Sequence, residues 1–171
     1  GLSAPGGSVR LMVNESDASP AGNDITQDGI NGGITAANLG VLIRGGNVLL
    51  DPNGAVGPAI NDVDVLSVFV RENGAGNGGS IEFSDSDDLT IGIVSGLDAF
   101  PGTAGLDATN NIILCSTGNL TLAQAVTTRA SATIMANPTD IVRLHSDAGN
   151  VTQLATAPIT TALLGVVAGG N

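Results

Sequence analysis

The densest chemistry in the sequence is the run Ser84-Asp85-Ser86-Asp87-Asp88. Calcium takes about six to eight oxygen ligands, and closely spaced Asp side chains can supply several of them. Asp85, Asp87 and Asp88 are therefore the candidate metal ligands, and calcium is the cation they suit. The run departs from an EF-hand loop, which needs glycine at its sixth position and a closing Glu. Tandem nonapeptide repeats that bind calcium are also absent. The competing reading is a solvated acidic turn.

Other reactive groups stand apart. His145 is the only histidine, so it cannot build a His-based metal site, and it reads as a surface or coil-edge residue. Cys115, the only cysteine, follows Ile112-Ile113-Leu114 and is expected to be a small buried apolar residue. With one cysteine there is no intrachain disulfide. Gly74-Ala75-Gly76-Asn77-Gly78-Gly79 has G-x-G-x-x-G spacing. A dinucleotide site needs a strand before this motif and a helix after it, whereas a strand, Ile81 to Phe83, is expected to follow. A glycine turn fits better. Arg71 and Arg143, with Asp62, Asp64 and Asp140 nearby in sequence, would be needed for a polysaccharide-processing enzyme, but single charges scattered along strands usually mark outward positions. The chain is read as not an enzyme, with no catalytic residue and no cofactor beyond calcium. Asn14-Glu15-Ser16, Asn119-Leu120-Thr121 and Asn150-Val151-Thr152 fit the glycosylation triplet, which is common by chance in chains rich in Asn and Thr.

The elements that must carry these groups are strands. Aromatics make up only 2% of the residues, with no Trp or Tyr, so the core has to be built from Val, Ile, Leu and Ala. Small aliphatic side chains suit a thin, repeated core. The β-branched residues favour strands, while the 25 glycines, with Asn and Asp, favour turns. Asn-Gly pairs at Asn31, Asn53, Asn73 and Asn77 read as tight turns. Val63 to Val70 is expected to be the longest strand. Ala123 to Ala132 has too much Thr and Ser to favour a helix. The net charge of −11 excludes a nucleic-acid binder, which needs a basic face. The apolar runs are far shorter than a membrane span.

A pattern of glycine, a small polar residue and alternating strand residues starts at Gly7, Gly46, Gly79, Gly118 and Gly149, at intervals of 39, 33, 39 and 31 residues. Recurrence on this scale points to a solenoid, with two coils per interval as a fit. A longer similarity matches Asp24-Ile25-Thr26-Gln27 to Asn150-Val151-Thr152-Gln153, then Ile34 through Val41 to Ile159 through Val166, at offsets of 126 and 125. Gly45-Gly46-Asn47 meets Gly169-Gly170-Asn171 at 124. The chain thus reads as one continuous solenoid segment over 1–171, with one superrepeat over 26–151 and part of the next. A β-sandwich repeat is the rival fold, since short strands and glycine turns fit both.

Gly149-Asn150-Val151-Thr152-Gln153, Gly118-Asn119-Leu120-Thr121-Leu122, and Gly79-Ser80-Ile81-Glu82-Phe83 through Asp88-Leu89-Thr90-Ile91 resemble the β-strand repeats of very large bacterial surface proteins, the filamentous-haemagglutinin and autotransporter-like adhesins. The resemblance implies a right-handed parallel β-helix, extracellular or surface-anchored, acting as a stalk, adhesin or matrix fibre. It supplies no catalytic residues. An all-β parallel solenoid is accordingly expected. Its inward ladders draw on Val48, Leu50, Val63, Val65, Ile81, Phe83, Leu89, Ile91, Ile112, Leu114, Leu120, Leu122, Ile141, Val151, Ile159 and Leu164. The expected partners are further coils or copies of itself stacked end to end, because neither end reads as a polar cap. A glycan or host surface is the alternative partner.

Overall fold

Strands rich in Val, Ile and Leu leave half of each ribbon apolar. A parallel stack buries that half by laying like residues over like. A computed structural model describes residues 1–13, 24–28, 32–51, 61–73, 78–129 and 139–170, and among them there is no helix. The chain is a parallel β-solenoid. A six-stranded sheet stacks β2 (Ile25–Thr26), β4 (Val48–Leu50), β6 (Ile81–Asp85), β11 (Ile112–Ser116), β14 (Ile141–Ser146) and β17 (Leu163–Ala168) in that order. A nine-stranded sheet opens with β1 (Leu2–Val13), β3 (Ile34–Arg44) and β5 (Asp62–Arg71). Above β5 it divides. One branch is β7 (Leu89–Ile91), β12 (Leu120–Leu122) and β15 (Val151–Gln153); the other is β10 (Leu106–Ala108), β13 (Val126–Thr128) and β16 (Ile159–Thr160). A sandwich would need antiparallel sheets, whereas every pairing in these two is parallel.

The inward residues form unbroken columns. Ile25, Val48, Ile81, Ile112, Val142 and Leu164 stack in one register, and Leu50, Phe83, Leu114, Leu144 and Val166 in the next. Leu11, Val41, Val68, Leu106, Val126 and Ile159 run through the other sheet. Most of the expected ladder is buried, but two positions are corrected. Val65 is only half-buried, because the in–out alternation of β5 skips a residue between Val63 and Leu66. The same step occurs in β3 between Ala36 and Leu39. The sheet divides just beyond the step in β5, between Leu66, which pairs with Ile91, and Val68, which pairs with Leu106. In the pair Ile141-Val142, it is Val142 that turns inward.

Spacing and strand length are also corrected. Ile81 pairs with Ile112, 31 residues on, so one coil and not two fills the recurrence. β1 and β3, at 12 and 11 residues, outrun β5 at 10. β3 gains its length from being paired along both edges despite its Ala, Asn and Gly. The blocks matched at long range take unlike places: Ile25 lies in the six-stranded sheet, and Val151 in the nine-stranded one. Val126 to Thr128 is a strand, as its Thr content favours.

The recurring glycines have a steric cause. A Cβ at Gly79 would lie 2.0 Å from the Gly46 carbonyl oxygen of the coil below, and one at Gly149 would lie 2.5 Å from the Gly118 carbonyl carbon. Glycine stands on glycine because adjacent coils are about 4.8 Å apart. Phe83→Ala, in a fully buried column, is expected to cost about 3–5 kcal/mol. Gly149→Ala should cost about 1–3 kcal/mol through overpacking. Urea unfolding followed by circular dichroism measures both, and a neutral Gly149→Ala would refute the steric account.

Candidate functional site

The acidic run is a coil turn. Asp85, Asp87 and Asp88 connect β6 to β7, where the next coils use Ser116-Thr117-Gly118-Asn119 and Ser146-Asp147-Ala148-Gly149-Asn150. Asp85 shares its column with Ser116 and Ser146, and all three are buried at the inner end of their strands. The two serine hydroxyls donate to the Gly118 carbonyl at 3.0 and 2.7 Å. The Asp85 Oδ1 accepts the Val63 N–H at 3.0 Å.

Asp88 does the work of an asparagine one level up. Its Oδ1 accepts the backbone N–H of Asn119 at 2.6 Å and the side-chain amide at 3.1 Å. The Asn119 Oδ1 then accepts the Asn150 N–H at 3.0 Å. Asp24, Asn47 and Ser80 repeat this ladder in the six-stranded sheet, through bonds of 2.7 and 2.9 Å. In both cases Asp, which only accepts when ionised, stands at the foot, and Asn, which donates and accepts, stands above it. Asp87 is exposed, and its carbonyl accepts the Gly118 N–H at 2.8 Å.

Asp85 and Asp87 lie close enough for their carboxyl groups to interact, and the Asp87 N–H donates to Asp85 Oδ2 at 3.3 Å, while the Asp88 carboxylate is taken up by Asn119. Among the described residues, no group of three or more His, Cys, Asp or Glu side chains is placed to hold a metal ion. Nor are the residues of the enzyme reading brought together. Asp62 and Asp64 are exposed at the start of β5 and Arg71 ends that strand, more than about 20 Å from either at about 3.3 Å per residue. Arg143 lies on the other sheet, and Asp140 is buried.

Cys115 is a correction. It takes the outward position of β11 between buried Leu114 and Ser116, and is half-exposed. Partial burial, then the Asp51 and Asp147 carboxylates, push its thiol up. His145 is its ladder neighbour and lies 3.3 Å from Asp147 Oδ1 near the surface. Residues 74–77 of the glycine motif, at least one residue of every Asn-Gly pair, and the triplet at Asn14 lie outside the described residues.

One surface feature was not legible in sequence. Between β7 and β10 the chain leaves the coil as an antiparallel hairpin, β8 (Ile93–Val94) and β9 (Thr103–Ala104). It folds back over the outer face of β3 and β5. Val94 and Phe100 are buried against Gly40, where a Cβ would meet the Phe100 ring at 2.8 Å. Ser67, the ladder partner of Gly40, donates its hydroxyl to the Gly105 carbonyl at 3.0 Å. Arg10 Nε donates to the Ser95 carbonyl at 2.9 Å.

Beside this flap lies a recess of about 440 Å³ whose polar lining is Arg71, Glu72, Asp107, Thr109 and Arg129. Asp107 stands in register with Phe69 and Thr127 on the outer face, and pairs with Arg129. Burial pushes the Asp107 carboxyl up, while Arg129 and then Arg71 pull it back. The Arg71 guanidinium lies 5.9 Å from the centre of the Phe69 ring. Asp107 falls 38 residues after Phe69 only because the hairpin intervenes, so no regular spacing would have joined them.

No protein-family model, no curated protein and no solved structure matches the chain.

Burial raises the Asp85 carboxyl from its ordinary range to about 8, with Asp87 adding to the rise and the N–H groups of Asp87 and Val63 opposing it. The folded chain thus holds a proton there that the unfolded chain releases near pH 4. The stability this carboxyl contributes is complete below about pH 4 and is lost as pH rises towards about 8. Asp85→Asn cannot ionise, so its melting temperature should gain on the parent's steadily from pH 4 to pH 8. A difference independent of pH would show that Asp85 does not titrate in that window.

Proposed function

We propose that the protein is a structural segment of an extracellular or cell-surface fibre or adhesin, giving length and stiffness through stacked coils. It has no catalytic role in this reading. The observation that carries it is the face of β17. Leu164 and Val166 continue the two inward columns of the six-stranded sheet, yet are 51% and 50% exposed. Within the described residues nothing pairs with the outer edge of that strand. An apolar column ending on an unpaired parallel edge is a template for another coil of the same kind, whether of the same polypeptide or of a second copy.

The sequence resemblance to haemagglutinin-like surface repeats agrees with this role, and so does the acidic, lysine-free composition. No helix of the described residues is long and apolar enough to cross a membrane. Electron microscopy of the native material tests the proposal. Thin filaments whose power spectrum shows a meridional spacing of about 4.8 Å are expected. Isolated particles at all concentrations, with no such spacing, would overturn it.

A further inference from the structure

The recess beside the hairpin flap has features that coil stacking does not require. The chain has only five basic residues, all arginine, against sixteen acids. Three of the five converge here. Arg44 and Arg71 are direct ladder partners, and Arg71 and Arg129 line the recess. Arg71 also borders a second hollow of about 260 Å³ that reaches Arg44 and the flap residues Ala99 and Pro101. Arg71 donates no hydrogen bond to any described residue, which leaves its planar fork open for a bidentate acceptor.

The rest of the lining limits what that anion can be. Asp107 is buried and Glu72 Oε1 is a buried oxygen without a partner. Two carboxylates beside the arginines disfavour a densely charged anion such as a polyphosphate. They suit a ligand with one negative group and several hydroxyls to donate. Hydroxyls would bond Glu72 and Thr109, and the negative group would take the Arg71 fork. The volume suits one or two sugar rings.

We propose that this recess binds a carboxylate-bearing saccharide, with Arg71 holding the carboxylate and Glu72 accepting from ring hydroxyls. The proposal is independent of the stacking reading, because it concerns the side of the coil and not its end.

Cellobiouronate and cellobiose, which differ only in the carboxylate, are the probes. Titration of the intact chain at low ionic strength, followed by calorimetry and by the arginine Nε–H signals in NMR, reads the binding. The expected result is saturable binding of cellobiouronate, no measurable binding of cellobiose, and a weakening of about ten-fold or more in Arg71→Gln with an unchanged melting temperature. Glu72→Gln should weaken binding less. Three results would each overturn the proposal: no binding of either sugar, equal binding of both, or cellobiouronate affinity that Arg71→Gln leaves unaltered. Competition by inorganic sulfate at equal concentration would reduce the site to a simple anion site and overturn its saccharide part. Filament formation is read separately by microscopy, so failure here leaves the stacking proposal standing, and the reverse.

Discussion

A parallel hydrogen-bond ladder sets the distance between successive coils at about 4.8 Å, and every side chain in this molecule has to fit that rise. Inside, the requirement is met by repeating one size of aliphatic residue in each column, as in Ile81, Ile112 and Val142. At the turns it is met by removing side chains altogether, as where Gly149 lies on Gly118. Some polar side chains kept at a turn bond the next coil, as Asp88 does to Asn119 and Asn119 to the Asn150 N–H. Buried Asn61 shows the same constraint in the interior: its amide donates to the carbonyls of Leu50 and Ser84 at 2.9 Å each, joining two coils.

How much of this could be read in advance depended on whether the signal was local. The glycine-polar-strand motif is local, because it records a turn and the first strand residues after it. It therefore gave the fold class and most inward positions, Phe83 and Leu114 among them. The phase step at Val65 was hidden, since a run of β-branched residues looks alike in either phase. The choice between Ile141 and Val142 was hidden for the same reason. The acidic run was visible, but its chemistry was not: Asp85 and Asp88 stand where Ser116 and Asn119 stand one coil later, and only the register shows that. The outward side of Cys115 was obscured by its apolar neighbours.

The recess was illegible because an insertion separates its lining residues in sequence. The hairpin from Gly92 to Gly105 shifts Asp107 and Arg129 out of the coil spacing, while leaving the inward columns above and below it in line. Gly40 and Ser67 are small where the flap comes down, so the outer face was shaped to receive it. A solenoid can thus acquire a distinct surface at one level without altering its core, because each coil touches only its neighbours.

The direction of the ladder bonds has a mechanical consequence. Strands run across the long direction of the stack and their hydrogen bonds run along it, so the covalent chain passes between levels only through single turns such as Ser116 to Asn119. Tension applied along the stack therefore acts on one coil's bonds before it reaches the next. The body yields by peeling, a level at a time from its ends, and each peeled coil releases some thirty residues of slack.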